Sequence, residues 1–319
     1  MRIGFVIPNI GPAATPETIV EVARRAEALG YDSLWVTERL LHPVAPQTPY
    51  PASADGVLPA AYRHVLDPLE TLTFAAAHTR RVSLGTSVLD MLFYTPVVLA
   101  RRLTTLDILS GGRLRVGLGL GWSKDEFDAV GISMTGRGAR ADEFIAALEA
   151  IWTMDPVEFQ GRHYAIPRSI IGPKPVQKPH PPIYLAAFTP SALRRAATLA
   201  DGWNPVGLPF DGMAQMVESL RTMARAAGRA PDRLEIVLRA NVHLSEQPLG
   251  APRAPFSGCL EELRRDVEAA RGLGVTELFF DPTFSPAGGD CRGFLEAMER
   301  LRGTVWGRSP PRRERLEPL

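Results

Sequence analysis

The sequence is poor in cysteine. Its 319 residues include two, Cys259 and Cys291, which lie far apart and form no Cys-x-x-Cys motif. This pattern is not a disulfide framework, so the simplest compartment is a reducing cytoplasm. The six histidines show no metal-ligand spacing, and no Gly-x-Ser-x-Gly motif or Cys/His pairing indicates a nucleophile. We therefore predict a cytoplasmic protein without a metal site.

The chain also lacks a surplus of charge and a long hydrophobic run. Its formal net charge is +1 and no basic stripe runs along it, which argues against nucleic acid as a partner. The longest apolar runs are interrupted by Arg, Thr or Gly well short of a membrane span. The first residues, MRIGFVIPNIGP, enter a strand-like run with no small-residue cleavage site. Neither a signal peptide nor a membrane segment is expected.

A third feature that is missing is the dinucleotide fingerprint. The stretch RLRVGLGLGWSKDEF, residues 113–127, has the glycine spacing G-x-G-x-G, and Trp122 stands where the third glycine of G-x-G-x-x-G should fall. The stretch also follows the fourth strand candidate instead of the first. Its alternate glycines leave one strand face without side chains. That bare face suits either tight packing inside a barrel or a flat ring lying close to the backbone.

What the sequence does contain is a regular alternation of strand and helix. Strands are predicted at 2–8, 32–38, 82–89, 114–120, 183–188, 202–207, 234–244 and 275–281, and helices at 15–29, 67–78, 96–109, 137–152, 191–199, 213–227, 260–273 and 293–301. A hairpin around Gly161 interrupts the pattern. Eight β-then-α units predict an α/β fold, a (β/α)8 barrel, with an open doubly wound sheet as the alternative.

The predicted domain organisation is a single barrel over residues 1–306, with insertions at its C-terminal mouth. The charged, proline-rich residues 307–319 are predicted to form a flexible tail. In a barrel of this kind, function resides at the C-terminal ends of the strands and in the loops that follow them.

Six segments, taken together, carry a family resemblance. They are EALGYDSLWVTERLLHP (27–43), VSLGTSVL (82–89), PVVLARRLTTLDILSGGRLRVGLGLGW (96–122), FQGRHYAIP (159–167), PPIYLAAFTPSALRRAA (181–197) and ADGWNP (200–205). Over roughly residues 1 to 240 the chain resembles the bacterial luciferase-like superfamily, and within it the oxidoreductases that use coenzyme F420. The resemblance implies a (β/α)8 barrel that binds F420 or FMN at its C-terminal mouth, and it favours a homodimer.

The resemblance also implies which residues support the coenzyme ring. Family members have a non-proline cis peptide at the end of strand three, and Ser87-Val88 matches that position. Gly119 would leave main chain uncovered beneath the ring, and Trp122 would stack against the ring or the substrate. The coenzyme phosphate is expected at the start of the helix after strand five, near Ala187, Phe188 and Thr189, where many members carry glycines.

The chain departs from the family at the end of strand two. Many F420 enzymes have Asp-His there, and this chain has Glu38-Arg39. Glu38 keeps a carboxylate near the ring that can polarise a ring nitrogen or move a proton. Arg39 cannot act as an acid near neutral pH, so we predict that it binds the coenzyme and that His42 takes the place of the missing histidine.

The substrate pocket is predicted in the long loop 42–65 and after strand three, because long loops at a barrel mouth select the substrate. Its candidate residues are Tyr62, His64, Asp90 and Tyr94. The predicted function is hydride transfer between F420 and a small organic substrate. The alternatives are an FMN-dependent monooxygenase supplied with reduced flavin by a partner reductase, and a flavin-binding barrel without activity.

Overall fold

Eight parallel strands form the centre of the molecule. The computed structural model describes residues 1–53 and 55–306, with side chains described as far as residue 303; the predicted tail lies outside these residues. The strands are β1 (Arg2–Val6), β2 (Ser33–Val36), β3 (Ser83–Thr86), β4 (Leu114–Gly119), β5 (Ile183–Leu185), β6 (Gly202–Trp203), β7 (Glu235–Asn241) and β8 (Glu277–Asp281). Each corresponds to one of the eight predicted strands.

The strands close into a barrel. Their spatial order is β3-β2-β1-β8-β7-β6-β5-β4, and β4 pairs in turn with β3 through Gly85 and Arg115. The first and last strands are neighbours, with Arg2 opposite Glu277. All of these pairings are parallel, which confirms the predicted (β/α)8 barrel and excludes the open sheet.

Helices connect the strands on the outside. They are α1 (Pro16–Leu29), α2 (Pro68–His78), α3 (Pro96–Leu109), α4 (Lys124–Ala129), α5 (Arg137–Thr153), α6 (Pro190–Leu199), α7 (Phe210–Ala226), α8 (Leu260–Gly272) and α9 (Cys291–Trp306). Among the described residues, no helix is both long and apolar enough to cross a membrane.

The local sequence explains where several helices begin. Thr15, Thr95 and Thr189 each cap a helix whose first residue is proline, and each hydroxyl accepts a hydrogen bond from the backbone N–H three residues on. Asp67 caps α2 in the same way, accepting from Leu69 N at 2.9 Å. A capping oxygen satisfies an N–H that has no partner within the helix, and proline at the first position needs no such partner.

Short strand pairs also lie outside the eightfold alternation. The predicted hairpin is present as antiparallel strands Val157–Gln160 and Ala165–Ser169. A two-residue strand, Leu89–Asp90, continues from β3 and pairs with the end of β4. A second short ladder joins His243–Leu244 to Ser257–Gly258. The short ladders and α4 were not predicted.

Charged side chains fill the N-terminal end of the barrel, opposite the predicted mouth. Glu277 is fully buried and accepts hydrogen bonds from Ser33 Oγ at 2.5 Å, Trp35 Nε1 at 3.0 Å and Arg2 Nε at 2.8 Å. Arg115 adds an ion pair to the same carboxylate at 3.2 Å. This network closes one end of the barrel with paired groups and leaves the other end for a ligand.

Candidate active site

A cavity of about 700 Å³ opens at the C-terminal ends of the barrel strands. Its wall is formed by residues that follow β2 to β6, by the end of β7 and by part of the loop after β2. Eight of the predicted site residues line it, namely Glu38, Arg39, Tyr62, Ser87, Val88, Asp90, Trp122 and Phe188. The barrel therefore brings residues that are far apart in the sequence to one mouth, as the fold predicts.

The Ser87-Val88 peptide bond is cis, which confirms the sequence prediction. Ser87 Oγ donates to Asn204 Oδ1 at 2.8 Å, and Asn204 Nδ2 donates to the carbonyl of Val237 at 2.5 Å. Arg239 Nη1 donates to the carbonyl of Ser87 at 3.4 Å. The cis peptide is thus held at the cavity wall by side chains from β7 and from the residue after β6.

The glycines of β4 serve packing around this peptide. A Cβ at Gly117 would lie 1.9 Å from the carbonyl oxygen of Thr86, and one at Gly119 would lie 2.7 Å from Val88 Cγ2 and 2.9 Å from Asp90 Oδ1. Of the two readings of the bare strand face, tight packing therefore applies. Gly119 does not line the cavity; it makes room for Val88 and Asp90, which do.

Glu38 is the carboxyl group at the end of β2, and both of its oxygens accept hydrogen bonds. The backbone N–H of Asp90 donates to Oε2 at 2.6 Å, and the hydroxyl of Tyr94 donates to Oε1. Burial, followed by the nearby Asp90 carboxyl, raises the pKa of Glu38 to about 8, against the lowering effect of the two donors. Glu38 can therefore hold or release a proton near neutral pH.

Asp90 is a second carboxyl group in the cavity wall with a raised pKa. Burial and the nearby Glu126 raise its pKa to about 7, while Arg39 acts in the opposite direction. The two carboxyls of Glu38 and Asp90 are therefore expected to change protonation state within the same pH range.

Arg39 forms a buried ion pair that the sequence did not predict. Its Nε lies 3.2 Å from Glu126 Oε1, and both side chains are at least 96% buried. The same carboxylate oxygen accepts from Leu40 N at 2.8 Å, and the guanidinium lies 4.5 Å from the Trp122 ring. α4 thus fixes the chain after β2, because Glu126 holds both the side chain of Arg39 and the adjacent backbone.

The remaining predicted residues lie outside the cavity wall. His64 is exposed, with Nε2 3.3 Å from the carbonyl of Ala14, and Tyr94 lies behind Glu38; a substrate contact is not supported for either. The Nε2 of His42 is buried without a hydrogen-bond partner, and His42 does not line the cavity.

Ala187 is buried, and its carbonyl accepts from Trp203 Nε1 at 3.0 Å. Thr189 caps α6 beside the cavity-lining Phe188.

Three site residues were missed, although two of them carry a signal in the sequence. Arg239 interrupts the apolar run IVLRAN of a buried strand, and a charge in such a position is a sign of a specific partner. Asn204 lies within the segment ADGWNP, directly after β6, where site residues of a barrel are expected. Glu126 has no such signal, because only the folded chain brings it to Arg39.

The cavity suits a ring-bearing coenzyme together with a small substrate. Its volume is within the range of about 300–1,000 Å³ that is usual for small-molecule sites. Three of its residues carry a buried polar atom without a hydrogen-bond partner: Arg39 Nη2, Arg239 Nε and Asn241 Oδ1. Such atoms are uncommon in native proteins and indicate where a ligand or water completes the site. Among the described residues, no group of three or more His, Cys, Asp or Glu is placed to hold a metal ion.

Comparison with known proteins assigns the family. A family model for luciferase-like monooxygenases matches residues 1–254. The chain belongs to the luciferase-like monooxygenase family. This confirms the resemblance found in the sequence, and it accounts for the closed barrel with its cavity at the C-terminal mouth. Relatives in the family are oxidoreductases and monooxygenases, and the chain is an enzyme of this family.

Curated relatives in the family differ in the coenzyme that they are named for. An uncharacterized protein of Mycobacterium tuberculosis is 35% identical over 231 residues, which is 72% of this chain and 80% of that protein. The F420-dependent glucose-6-phosphate dehydrogenase of Amycolatopsis mediterranei is 33% identical over 192 residues, 59% of this chain and 53% of that protein. The FMNH2-dependent dimethylsulfone monooxygenase of Pseudomonas putida is 35% identical over 140 residues, 43% of this chain and 39% of that protein.

Solved structures show the same fold. The monooxygenase RslO1 from Streptomyces bottropensis has a TM-score of 0.78 at 24% identity, over 96% of this chain and 98% of that chain. An F420-dependent secondary alcohol dehydrogenase in complex with an F420-acetone adduct has a TM-score of 0.75 at 19% identity, over 95% of this chain and 98% of that chain. At these identities the likeness extends to the fold alone.

Proposed function

We propose that the protein is an F420-dependent oxidoreductase that acts on a small organic substrate. The observation that carries this proposal is Glu38. Its carboxyl group lines the cavity next to the cis Ser87-Val88 peptide, and its pKa is raised to about 8 by burial and by Asp90. Oxidation of an alcohol, or reduction of a carbonyl, moves one hydride and one proton, and the proton needs such a group.

We assign a different role to each group of residues at the mouth. When bound, the deazaflavin would supply hydride chemistry at its ring carbon. Ser87, held by Asn204 at 2.8 Å, and Val88 form the wall that would support the ring. Glu38 would take up or deliver the proton at the substrate oxygen. The aromatic rings of Tyr62, from the loop after β2, and Trp122, which follows β4, line the same cavity and would exclude water.

Arg39 would act through its charge. A guanidinium offers only N–H donors, so we propose that Arg39 binds a ligand and does not replace the proton-transferring histidine of the family pattern. Paired with Glu126 at 3.2 Å, its guanidinium lies buried in the cavity wall with Nη2 left without a partner. We propose that this charge orients an acceptor atom of the coenzyme or substrate, while Glu38 alone handles the proton.

An FMN-dependent monooxygenase is the second candidate. It is favoured by the relative named for reduced FMN. In that case a partner reductase would deliver the reduced flavin. For either activity we propose a homodimer, as the family resemblance favours, in the cytoplasm, as the two unpaired cysteines suggest.

Side-by-side titration with F420 and FMN tests the proposal. We expect F420 to bind with a change in fluorescence and FMN to bind at least tenfold more weakly. Val206→Trp should weaken F420 binding more than tenfold, because Val206 lines the cavity and the larger ring fills it. The matched control is Val176→Trp, at a residue that is 51% exposed on the surface, and it should bind normally.

Other outcomes would overturn the proposal. Binding of FMN alone, with oxygen consumption once the flavin is reduced, would assign the monooxygenase function instead. Binding of both coenzymes without turnover of any acceptor would favour a barrel that has lost activity. Equal weakening by both tryptophan variants would place the binding site elsewhere.

A further inference from the structure

A single short segment donates hydrogen bonds to both carboxyl oxygens of Glu38. The segment runs from Asp90 to Tyr94 and contains the 3-10 turn Met91–Phe93. The backbone N–H of Asp90 donates to Oε2 at 2.6 Å from one end of the turn, and the Tyr94 hydroxyl donates to Oε1 from the other. We call these two donors the carboxyl clamp. The turn sets the spacing between them, so that each reaches its own oxygen.

Tyr94 lies on the side of Glu38 that faces away from the cavity. Glu38 and Asp90 line the cavity, whereas Tyr94 does not. The Tyr94 ring lies 5.8 Å from the guanidinium of Arg102, which pairs with Asp67 at 3.2 Å and with Glu70 at 2.6 Å on the outer surface. Tyr94 therefore approaches Glu38 from behind and leaves the cavity side of the carboxyl group free for a ligand.

We propose that Tyr94 is a positioning residue for Glu38, holding one carboxyl oxygen so that the group presents its remaining lone pairs to the cavity. The assignment of proton transfer to Glu38 rests on the proposed function, but the clamp itself does not. Tyr94 touches neither the cavity nor anything bound in it, so it would act only through the orientation and charge state of Glu38.

The hydrogen bond from Tyr94 lowers the pKa of Glu38. A donor to a carboxylate stabilises the ionised form, so loss of the Tyr94 hydroxyl must raise the pKa of Glu38. The other groups that face Glu38 are the carboxyls of Asp90 and Asp67, which both raise its pKa. Asp90 in turn faces Glu126, Arg39 and Arg137. None of these groups is changed by Tyr94→Phe.

A carboxyl titration tests the proposal without coenzyme or substrate. Protein labelled with ¹³C at the glutamate carboxyl carbons is titrated by NMR, and Glu38→Gln identifies the Glu38 resonance. In Tyr94→Phe the midpoint should move upward by about one pH unit, the size expected for a lost hydrogen bond to a charged group. Incorporation of 3-fluorotyrosine at position 94, which makes the hydroxyl a stronger donor, should move it downward.

The control is Arg102→Gln, which keeps the hydroxyl and removes the cation beside the ring. It acts on Glu38 only through Asp67, the last of the causes that shift the pKa of Glu38, so it should move the midpoint by less than half as much as Tyr94→Phe. An unchanged midpoint in Tyr94→Phe, or an equal shift in Arg102→Gln, would overturn the proposal by showing that Tyr94 only packs.

A kinetic measurement extends the test to the enzyme. The limb of the pH–rate profile that depends on Glu38 should move upward with the NMR midpoint in Tyr94→Phe, while KM for the coenzyme stays the same. A change in KM alone would contradict positioning. Failure of F420 to bind would refute the proposed function. It would not decide the role of Tyr94, because the NMR titration that tests this role needs no ligand.

Discussion

Glu38 couples the stability of the protein to pH. Its pKa is raised from 4.5 to about 8 by burial and by Asp90, so between these pH values the unfolded chain binds fewer protons at this group than the folded chain. The contribution of Glu38 to the free energy of unfolding is therefore complete below about pH 4.5 and is lost as the pH rises to about 8.

Replacement of Glu38 by Gln removes this dependence. Between pH 4.5 and 8 the variant should lose less stability than the parent, by at most about 1.4 kcal/mol per pH unit. Urea denaturation at several pH values measures the difference. Parallel stability curves for the two proteins would contradict the raised pKa. Asp90, whose pKa is raised from 3.8 to about 7, should leave a dependence of similar size and the same sign in the variant.

At the scale of single residues, the sequence predicts what lies in recognisable segments and misses what only the fold brings together. Ser87, Glu38 and Arg39 were placed by the strand ends that contain them. Tyr94 was expected to contact the substrate, yet it binds the back of Glu38. Its position next to a mouth residue was predictable, but the direction of its side chain depends on the 3-10 turn before it.

The contact between β3 and β4 depends on a missing side chain. A Cβ at Gly117 would lie 1.9 Å from the carbonyl oxygen of Thr86, which is backbone and cannot move aside. We expect Gly117→Ala to destabilise the protein by more than about 3 kcal/mol, the upper range for overpacking, and to displace the cavity-lining Ser87 that follows Thr86. Thermal denaturation and coenzyme binding would measure the two effects.

A matched control exists in α7. Gly212 has no atom within 4 Å of an added Cβ, so Gly212→Ala should stabilise the protein by about 0.5–1 kcal/mol through better helix propensity. If Gly117→Ala were as stable as the parent, the close approach of β4 to β3 would be wrong.

At the scale of elements, the starts of helices were the most predictable feature. Thr-Pro and Asp-Pro pairs fix the first turns of α1, α2, α3 and α6, because cap and proline act locally. The six residues of α4 were not predicted as a helix, since a helix this short depends on tertiary contacts. Those contacts are the bonds of Glu126 to Leu40 and Arg39.

The integrity of the whole barrel depends on the charged network at its closed end. Glu277 of β8 binds groups from β1, β2 and β4, so one carboxylate joins four of the eight strands. Glu277→Gln removes the charge of this partner, while Arg115 and Arg2 keep their ion pairs with Glu235. We expect a loss of about 3 kcal/mol in the free energy of unfolding, the lower end of the range for a broken buried ion pair, measured by urea denaturation.

The control for this prediction is a pair on the surface. Glu299 pairs with Arg25 at 2.5 Å, and both side chains are at least 44% exposed. Glu299→Gln should change stability by less than about 1 kcal/mol. An equally small effect of Glu277→Gln would mean that the strands hold together without the network.

At the scale of the molecule, the closed barrel was predictable because eight strand and helix units in one chain have few other solutions. The pairing of β1 with β8 follows from closure alone. The identity of the coenzyme does not follow from the family, since the chain is similar in sequence both to a relative named for F420 and to one named for FMNH2.

The carboxyl clamp and the two tyrosines of the cavity wall come from different parts of the chain. Glu38 and its two donors lie at the ends of the neighbouring strands β2 and β3, whereas Tyr50 and Tyr62 reach the cavity from the long loop after β2. Substitutions at Tyr50 and Tyr62 therefore change the cavity wall and leave the hydrogen bonds of Glu38 in place. The shape of the cavity and the surroundings of its buried carboxyl group can thus vary independently of each other.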